Sequence, residues 1–396
     1  MSTDKETCLI DTDLNRLIDE NAFEFCRTHP IMHRIDLKPY VQPASLDLPI
    51  YGKVFLLKER VLPFKKKMID LLPELQLESS SLDHDALLLK GQTYLCHVGR
   101  IRLPKGCRGH LSPKSSIGRV DLMVRGVVDG CGLYDTLPSG QVSNLWLEIT
   151  PQSFNVRIRE GLALTQLMLF QERSESTTRR PIRPKKEEDT KNVAGHDDEE
   201  EEEEEEEDPL RRVLYDAKGE PLPVQLHRGA VVLSLRVPED VKEIAGYEAK
   251  PTSEVLNLSE PGTHDHETFF KPIKRGAGGR LTLEKDRFYI LATKEHISVP
   301  LTLSGEMVPF SHLVGELRAH YAGFFDPGFG YGKAGEKRGT VAVLEVRPHE
   351  TITIYDGQPI CLMEFFQNSR TPAKPYGYSG NNYAEQKGPK LAKYFK

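Results

Sequence analysis

Asn155-Val-Arg-Ile-Arg-Glu-Gly-Leu-Ala-Leu-Thr-Gln-Leu-Met-Leu-Phe170 is the stretch whose pattern sets the fold class. Val156 and Ile158 alternate with polar residues, Gly161 interrupts, and a more continuously apolar run follows, as in two strands joined at a glycine turn. The segment ETITIYDGQPICLMEFF, Glu350 to Phe366, has the same design with Gly357 at the break. Working outward, Tyr94 stands opposite Tyr289, Pro113 opposite Pro309, Ser115 opposite Ser311, Glu148 opposite Glu345, Gly161 opposite Gly357 and Phe170 opposite Phe365. All six separations fall between 195 and 197 residues. So constant an offset between two sets of short strands predicts one all-β domain duplicated in tandem, with minor helices. Two helices are predicted before Pro30. One runs from about Asp13 to Glu20, capped by Asp11 or Asp13, with Leu14, Leu17 and Ile18 on one face; a second, short one runs through Ala22 to Cys26.

At 396 residues the chain suits two domains, 1–172 and 209–396. Residues 173–208 separate them and carry almost no apolar side chains, so they are predicted to be a disordered linker. Within the linker, residues 197–208 are twelve consecutive acids; without them the net charge of −6 becomes 47 acids against 53 bases, or +6. A mildly positive body suits an anionic ligand. No apolar run approaches the ~18 residues of a membrane span, and the acidic start resembles neither a secretory signal nor a transit peptide. A cytoplasmic location is therefore expected, with the nucleus as the other compartment, and no membrane partner. The scattered cysteines Cys8, Cys26, Cys96, Cys107, Cys131 and Cys361 contain no C-x-x-C pair and are read as reduced thiols. No basic stripe with interleaved aromatics marks a nucleic-acid surface.

The densest polar constellation is Ser112-Pro-Lys-Ser-Ser-Ile-Gly-Arg119. Adjacent hydroxyls, a glycine that permits close backbone approach and two flanking cations can all point at phosphate oxygens. Zinc deamination needs an H-x-E and a P-C-x-x-C, and neither occurs. The nearest thing to a ligand cluster, His264-Asp-His-Glu267, lacks a cysteine or a third histidine and reads as an exposed loop.

Taken in order, Gln42-Pro-Ala-Ser-Leu-Asp-Leu48, Lys114-Ser-Ser-Ile-Gly-Arg119, Leu145-Trp-Leu-Glu-Ile149 and the strand after Gly161 resemble the dCTP deaminases, a zinc-independent branch of the trimeric dUTPase superfamily. Gly323-Phe-Phe-Asp-Pro-Gly-Phe-Gly330 is similar to that family's I-D-P-G-[WF] turn, and residues 375–389 to its nucleotide-closing arm. The resemblance implies tandem dUTPase-like β-barrel or β-clip domains and hydrolytic deamination of dCTP to dUTP and ammonia, supplying dUTP for dUMP and dTMP synthesis. Mg²⁺ would be carried on the triphosphate. It also implies dTTP as a feedback inhibitor and a homotrimer. Glu148 takes the place of the catalytic carboxylate, walled by Trp146 and Leu147; Arg119 orients water and carboxylate; and Ser115, Ser116 and Gly118 form the substrate loop. Lys114 replaces an arginine, a point charge for a bidentate fork. Tyr376, Tyr383 and Gln386 match phosphate-contacting positions of the arm, where Asn382 replaces a usual lysine.

The second half keeps Ser311 and Glu345 but has His312 for a serine, and Gly315 or Glu316 where an arginine is required. Glu345 is accordingly expected to be structural, the other reading being that it completes a site across an interface. A dUTPase, or a bifunctional enzyme yielding dUMP, is the main alternative, because Gly126-Val-Val-Asp129 is similar to a dUTPase motif whose aspartate activates water. A non-catalytic nucleotide-binding regulator is the third reading.

Overall fold

The computed structural model describes residues 6–24, 35–173, 209–309, 317–319, 323–378 and 386–396. The duplication is visible strand for strand. In the first half, one antiparallel sheet orders Gln76–Ser81, Lys53–Leu57, Thr93–Arg102, Val142–Pro151 and Leu122–Val128. The second half answers with Phe270–Lys274, Ile244–Ala249, Tyr289–Ile297, Thr340–Pro348 and Leu317–Ala319. A second sheet is built around Ala163–Glu172 beside Cys107–Pro113, and its counterpart around Pro359–Gln367 beside Leu303–Pro309. Register repeats too: Leu111 faces Leu167 as Met307 faces Met363. The Tyr94 hydroxyl accepts the Leu89 N–H at 2.9 Å, and the Tyr289 hydroxyl accepts the Glu284 N–H at 2.9 Å. Gly161 and Gly357 both turn the chain at positive φ, +79° and +77°, a conformation that costs a side chain strain.

Two helical expectations change. The first helix spans Asp11–Asp19 with Leu14 and Leu17 buried, as its spacing requires, but its N-cap is Ile10, and Asp11 and Asp13 lie inside the first turn. Within Ala22 to Cys26, however, Phe23–Glu24 is a short strand paired with Ile101 and Arg100, which buries Phe23 in the core at the sheet edge; residues 25 and 26 lie outside the described residues. A helix absent from the sequence reading, Met68–Leu75, contains Pro73, which argues against a helix in any local reading. Met68, Leu72 and Leu75 bury against Leu57, Leu95, Val127 and Trp146, so tertiary packing overrides the local penalty. Of the linker expected over 173–208, all but Arg173 lies outside the described residues.

The core of the first half takes in residues of the second, among them Leu256, Phe269, Phe270 and Tyr394, while the second half keeps a further core of its own. Strand Val255–Asn257 of the second half pairs in parallel with Asn155–Arg157 of the first. Phe154 meets Phe269 and Phe270 edge-on at centroid distances of 5.2 and 5.4 Å. Buried Asp11 accepts the backbone N–H groups of Ala373 and Lys374, and Asp13 accepts the Ser369 hydroxyl. Asp121 is paired with Arg347.

His110 and Glu306, 196 residues apart on equivalent strands, also meet across the junction at 2.9 Å. Burial pulls the His110 imidazolium down, but the hydrogen bond and charge of Glu306, with help from Asp135, outweigh it and the net shift is upward. A histidine raised in the fold stabilises fully below its unfolded pKa of ~6.5 and loses that contribution as pH rises through the raised value. The thermal midpoint should therefore carry a falling component above about pH 6.5 that disappears in His110→Asn, measurable by calorimetry across neutral pH.

Candidate active site

Residues 114–119 begin where the strand Cys107–Pro113 ends. Lys114 is extended and the next four residues, Ser115–Gly118, form a single helical turn that directs Ser115, Ser116 and Arg119 toward the junction between the halves. They line a cavity of about 170 Å³ together with residues of the second half, among them Phe324, Asp326 and Glu345.

Here the structure departs from the expected partnership. Arg119 lies beside Glu345, Nε to Oε1 3.8 Å, with both side chains buried. Its Nη1 donates to the Lys390 carbonyl at 2.9 Å, and Nη1 and Nη2 both reach the Gln386 side-chain oxygen at 3.3 Å. Gln386, expected at the phosphates, is thus a bracket: its amide nitrogen donates to the Val341 carbonyl at 2.6 Å, and its own carbonyl accepts the Thr340 hydroxyl at 2.8 Å. Burial pushes the Glu345 carboxyl up to about 8 against the pull of Arg119. A carboxyl so placed can exchange a proton near neutrality.

Glu148, expected beside Arg119, is not among the cavity-lining residues. It pairs instead with Arg60, Nε to Oε1 3.5 Å, and accepts the Tyr134 hydroxyl at 3.2 Å. Burial raises its pKa while Arg60 and Tyr134 pull the other way. The physical reason lies in alternation along Val142–Pro151: Trp146 and Glu148 share the face covered by Met68–Leu75, while Leu147 enters the main core. Trp146 and Leu147 are therefore packing residues, and Gly118 is buried behind the loop without lining the cavity.

Asp129 is committed elsewhere as well. Its two oxygens accept the Met68 N–H and the Asn144 amide, each at 2.8 Å, so it ties down the start of a helix. Asp129→Ala should cost about 0.5–2 kcal/mol, as loss of a helix cap does, read as a lowered thermal midpoint. Tyr376 does line the cavity, with its ring 5.4 Å from that of Phe329. Tyr383, Asn382, Ser311, His312, Gly315 and Glu316 lie outside the described residues.

The family model for the 2'-deoxycytidine 5'-triphosphate deaminase N-terminal domain matches residues 12–173, and that for the C-terminal domain matches residues 199–395. The chain belongs to the dCTP deaminase family. Its structure is similar to the crystal structure of 2'-deoxycytidine 5'-triphosphate deaminase from Agrobacterium tumefaciens, with a TM-score of 0.75 and 27% identity, over 93% of this chain and 97% of that one. No curated protein matches the sequence. The chain is thus a deaminase of the hydrolase class acting on dCTP, built from two tandem all-β domains. No helix among the described residues is long and apolar enough to cross a membrane.

Two further residues lining the cavity of this deaminase, Gln42 and Asp326, carry a signal legible in the sequence. Gln42 and Asp326 lie within quoted motifs; burial pushes the Asp326 carboxyl up to about 7, and its Oδ1 accepts the Ala44 N–H at 3.1 Å from the other half. Lys114 is paired with Asp47. Lys393 also lines the cavity, its pKa lowered by burial and by Lys114, and no motif marked it. His264 accepts the Asn257 N–H at 3.1 Å, and Asp265 caps the turn that follows, so the His264–Glu267 stretch is a capped turn.

Proposed function

We propose that deamination is carried out at the junction cavity with Glu345 as the general base and acid, in place of Glu148. The observation that carries this is the buried Arg119–Glu345 contact between the substrate loop of one half and the strand of the other. In the proposed reaction, ionised Glu345 takes a proton from water and hydroxide attacks C4 of the cytosine. The proton passes to N3, a further proton transfer makes the C4 amine a leaving group, and ammonia departs as the C4 carbonyl forms. Arg119 holds the carboxylate and the water in line, Ser115 and Ser116 supply hydroxyls to the substrate, and Lys114 and Lys393 supply positive charge for the triphosphate. No protein-bound zinc enters the scheme, and Mg²⁺ is carried on phosphate oxygens, which demand little from the protein.

The test is product analysis of the purified enzyme with dCTP, dCMP, dUTP and cytidine. The reading expects ammonia and accumulating dUTP from dCTP, insensitive to a zinc-selective chelator. Activity lost to the chelator and restored by zinc alone overturns the zinc-independent scheme, and dUMP with pyrophosphate would establish the bifunctional one. Asp129 Oδ1 accepts the Met68 N–H and Oδ2 the Asn144 amide, which speaks for a structural role and against the bifunctional reading. Supply of dUTP for dUMP and dTMP synthesis, closed dUTPase-like barrels, a homotrimer and inhibition by dTTP belong to the same proposal. The last two are checked by sedimentation and by turnover in the presence of dTTP.

A further inference from the structure

Among the described residues, the two repeats differ in the connection between two strands of their main sheets. Between Ile244–Ala249 and Phe270–Lys274, residues 250–269 cross to the other half, adding Val255–Asn257 to its strand Asn155–Arg157 and seating Phe269 beside Phe154. That departure leaves the face of Val343 and Glu345 free to line the cavity. The equivalent connection in the first half, residues 58–75, folds back over its own sheet. Met68, Leu72 and Leu75 pack onto Trp146, Leu95 and Val127. The segment is pinned on its other side to the hairpin at Gly130: Lys65 N–H donates to the Gly130 carbonyl at 3.2 Å, Gly130 N–H to the Lys66 carbonyl at 2.8 Å, and Met68 N–H to Asp129.

Arg60 is part of this fold-back. Its Nε stands 3.5 Å from Glu148 and 3.2 Å from the Thr93 hydroxyl, and its Nη2 donates to Thr150 at 3.0 Å. Glu148 and Glu345 are equivalent in the duplication and each faces an arginine Nε, at 3.5 and 3.8 Å. The difference is the origin of the arginine: Arg119 comes from the opposite half, whereas Arg60 comes from the strand's own domain. We infer that residues 58–75 are a built-in seal over the first half's copy of the site, with Arg60 standing to Glu148 as Arg119 stands to Glu345, so that this face takes no nucleotide. The inference depends on the deaminase reading only for the choice of dCTP as the probe.

Trp146 is the single tryptophan of the chain and lies under the seal at 4% exposure, so its fluorescence reports on that face alone. The experiment uses full-length Glu345→Gln, titrated with dCTP by calorimetry while Trp146 emission and its quenching by iodide are followed. The seal predicts at most one dCTP per chain and Trp146 shielded from iodide with and without nucleotide. It also predicts that Leu72→Ala, in protein that still turns over dCTP, raises iodide quenching severalfold. Two bound dCTP per chain, or emission quenched by dCTP in a manner abolished by Glu148→Gln, overturns the seal. A Trp146 open to iodide in the unmodified chain overturns it as well. Shielded Trp146 with no dCTP bound defeats the deaminase scheme while the seal stands. Should Leu72→Ala fail to fold, the stoichiometry on Glu345→Gln still decides.

Discussion

Glu345→Gln should lower dCTP turnover by about 10²–10⁴-fold, the usual consequence of losing a general base, while nucleotide binding survives. Glutamine keeps the size and the hydrogen-bonding capacity of the side chain but accepts no proton. Glu148→Gln is the matched control at the equivalent position of the duplicated strand, and it should leave turnover largely intact. Its carboxylate is held by Arg60 and Tyr134 and lines no part of the cavity that holds Arg119. Stability is where Glu148→Gln should register, because a buried carboxylate that pairs with the half-exposed Arg60 loses its charge. Rates and dCTP affinities of the two variants decide the matter. A dead Glu148→Gln beside an active Glu345→Gln would return the chemistry to the first half.

Arg119→Met is the second large effect, and its signature is in the pH profile. The guanidinium is the charge that pulls the Glu345 carboxyl down against burial, which nevertheless leaves it at about 8. A carboxyl raised this far favours the neutral acid in the fold. Its contribution to stability is present below the ordinary pKa of ~4.3 and is lost as pH rises toward 8, whereas the ionised base required for attack on C4 gains population over the same range. For the unmodified enzyme, kcat/KM for dCTP should rise with pH on a limb near 8. In Arg119→Met that limb should move upward and the plateau should fall, since both the pull on the carboxyl and the aim of the water are gone. A variant with a lower plateau but an unmoved limb would mean that Arg119 acts on the substrate alone. Gln386→Ala should imitate the defect in milder form, because Gln386 grips both Arg119 Nη atoms while the Lys390 carbonyl still holds one of them.

Much of this was written locally. Alternating apolar residues around Gly161 and Gly357 determined paired strands, because a period of two buries one face of a sheet and only a glycine turns cheaply at positive φ. The constant offset determined the duplication, and the loop Lys114–Arg119 carried its chemistry in residue types alone. Local pattern could not reveal the helix Met68–Leu75, whose Pro73 speaks against it and whose stability comes from Trp146 and Leu95. Nor could it show which of Glu148 and Glu345 meets Arg119, because the two sit on equivalent strands and the partner is set by how the halves pack. That choice belongs to the tertiary structure. Residues 58–75 fold over the first glutamate, residues 250–269 swing away from the second, and the packing of the halves carries Arg119 to Glu345, so burial and charge at each carboxyl are set by chain segments far from it in sequence.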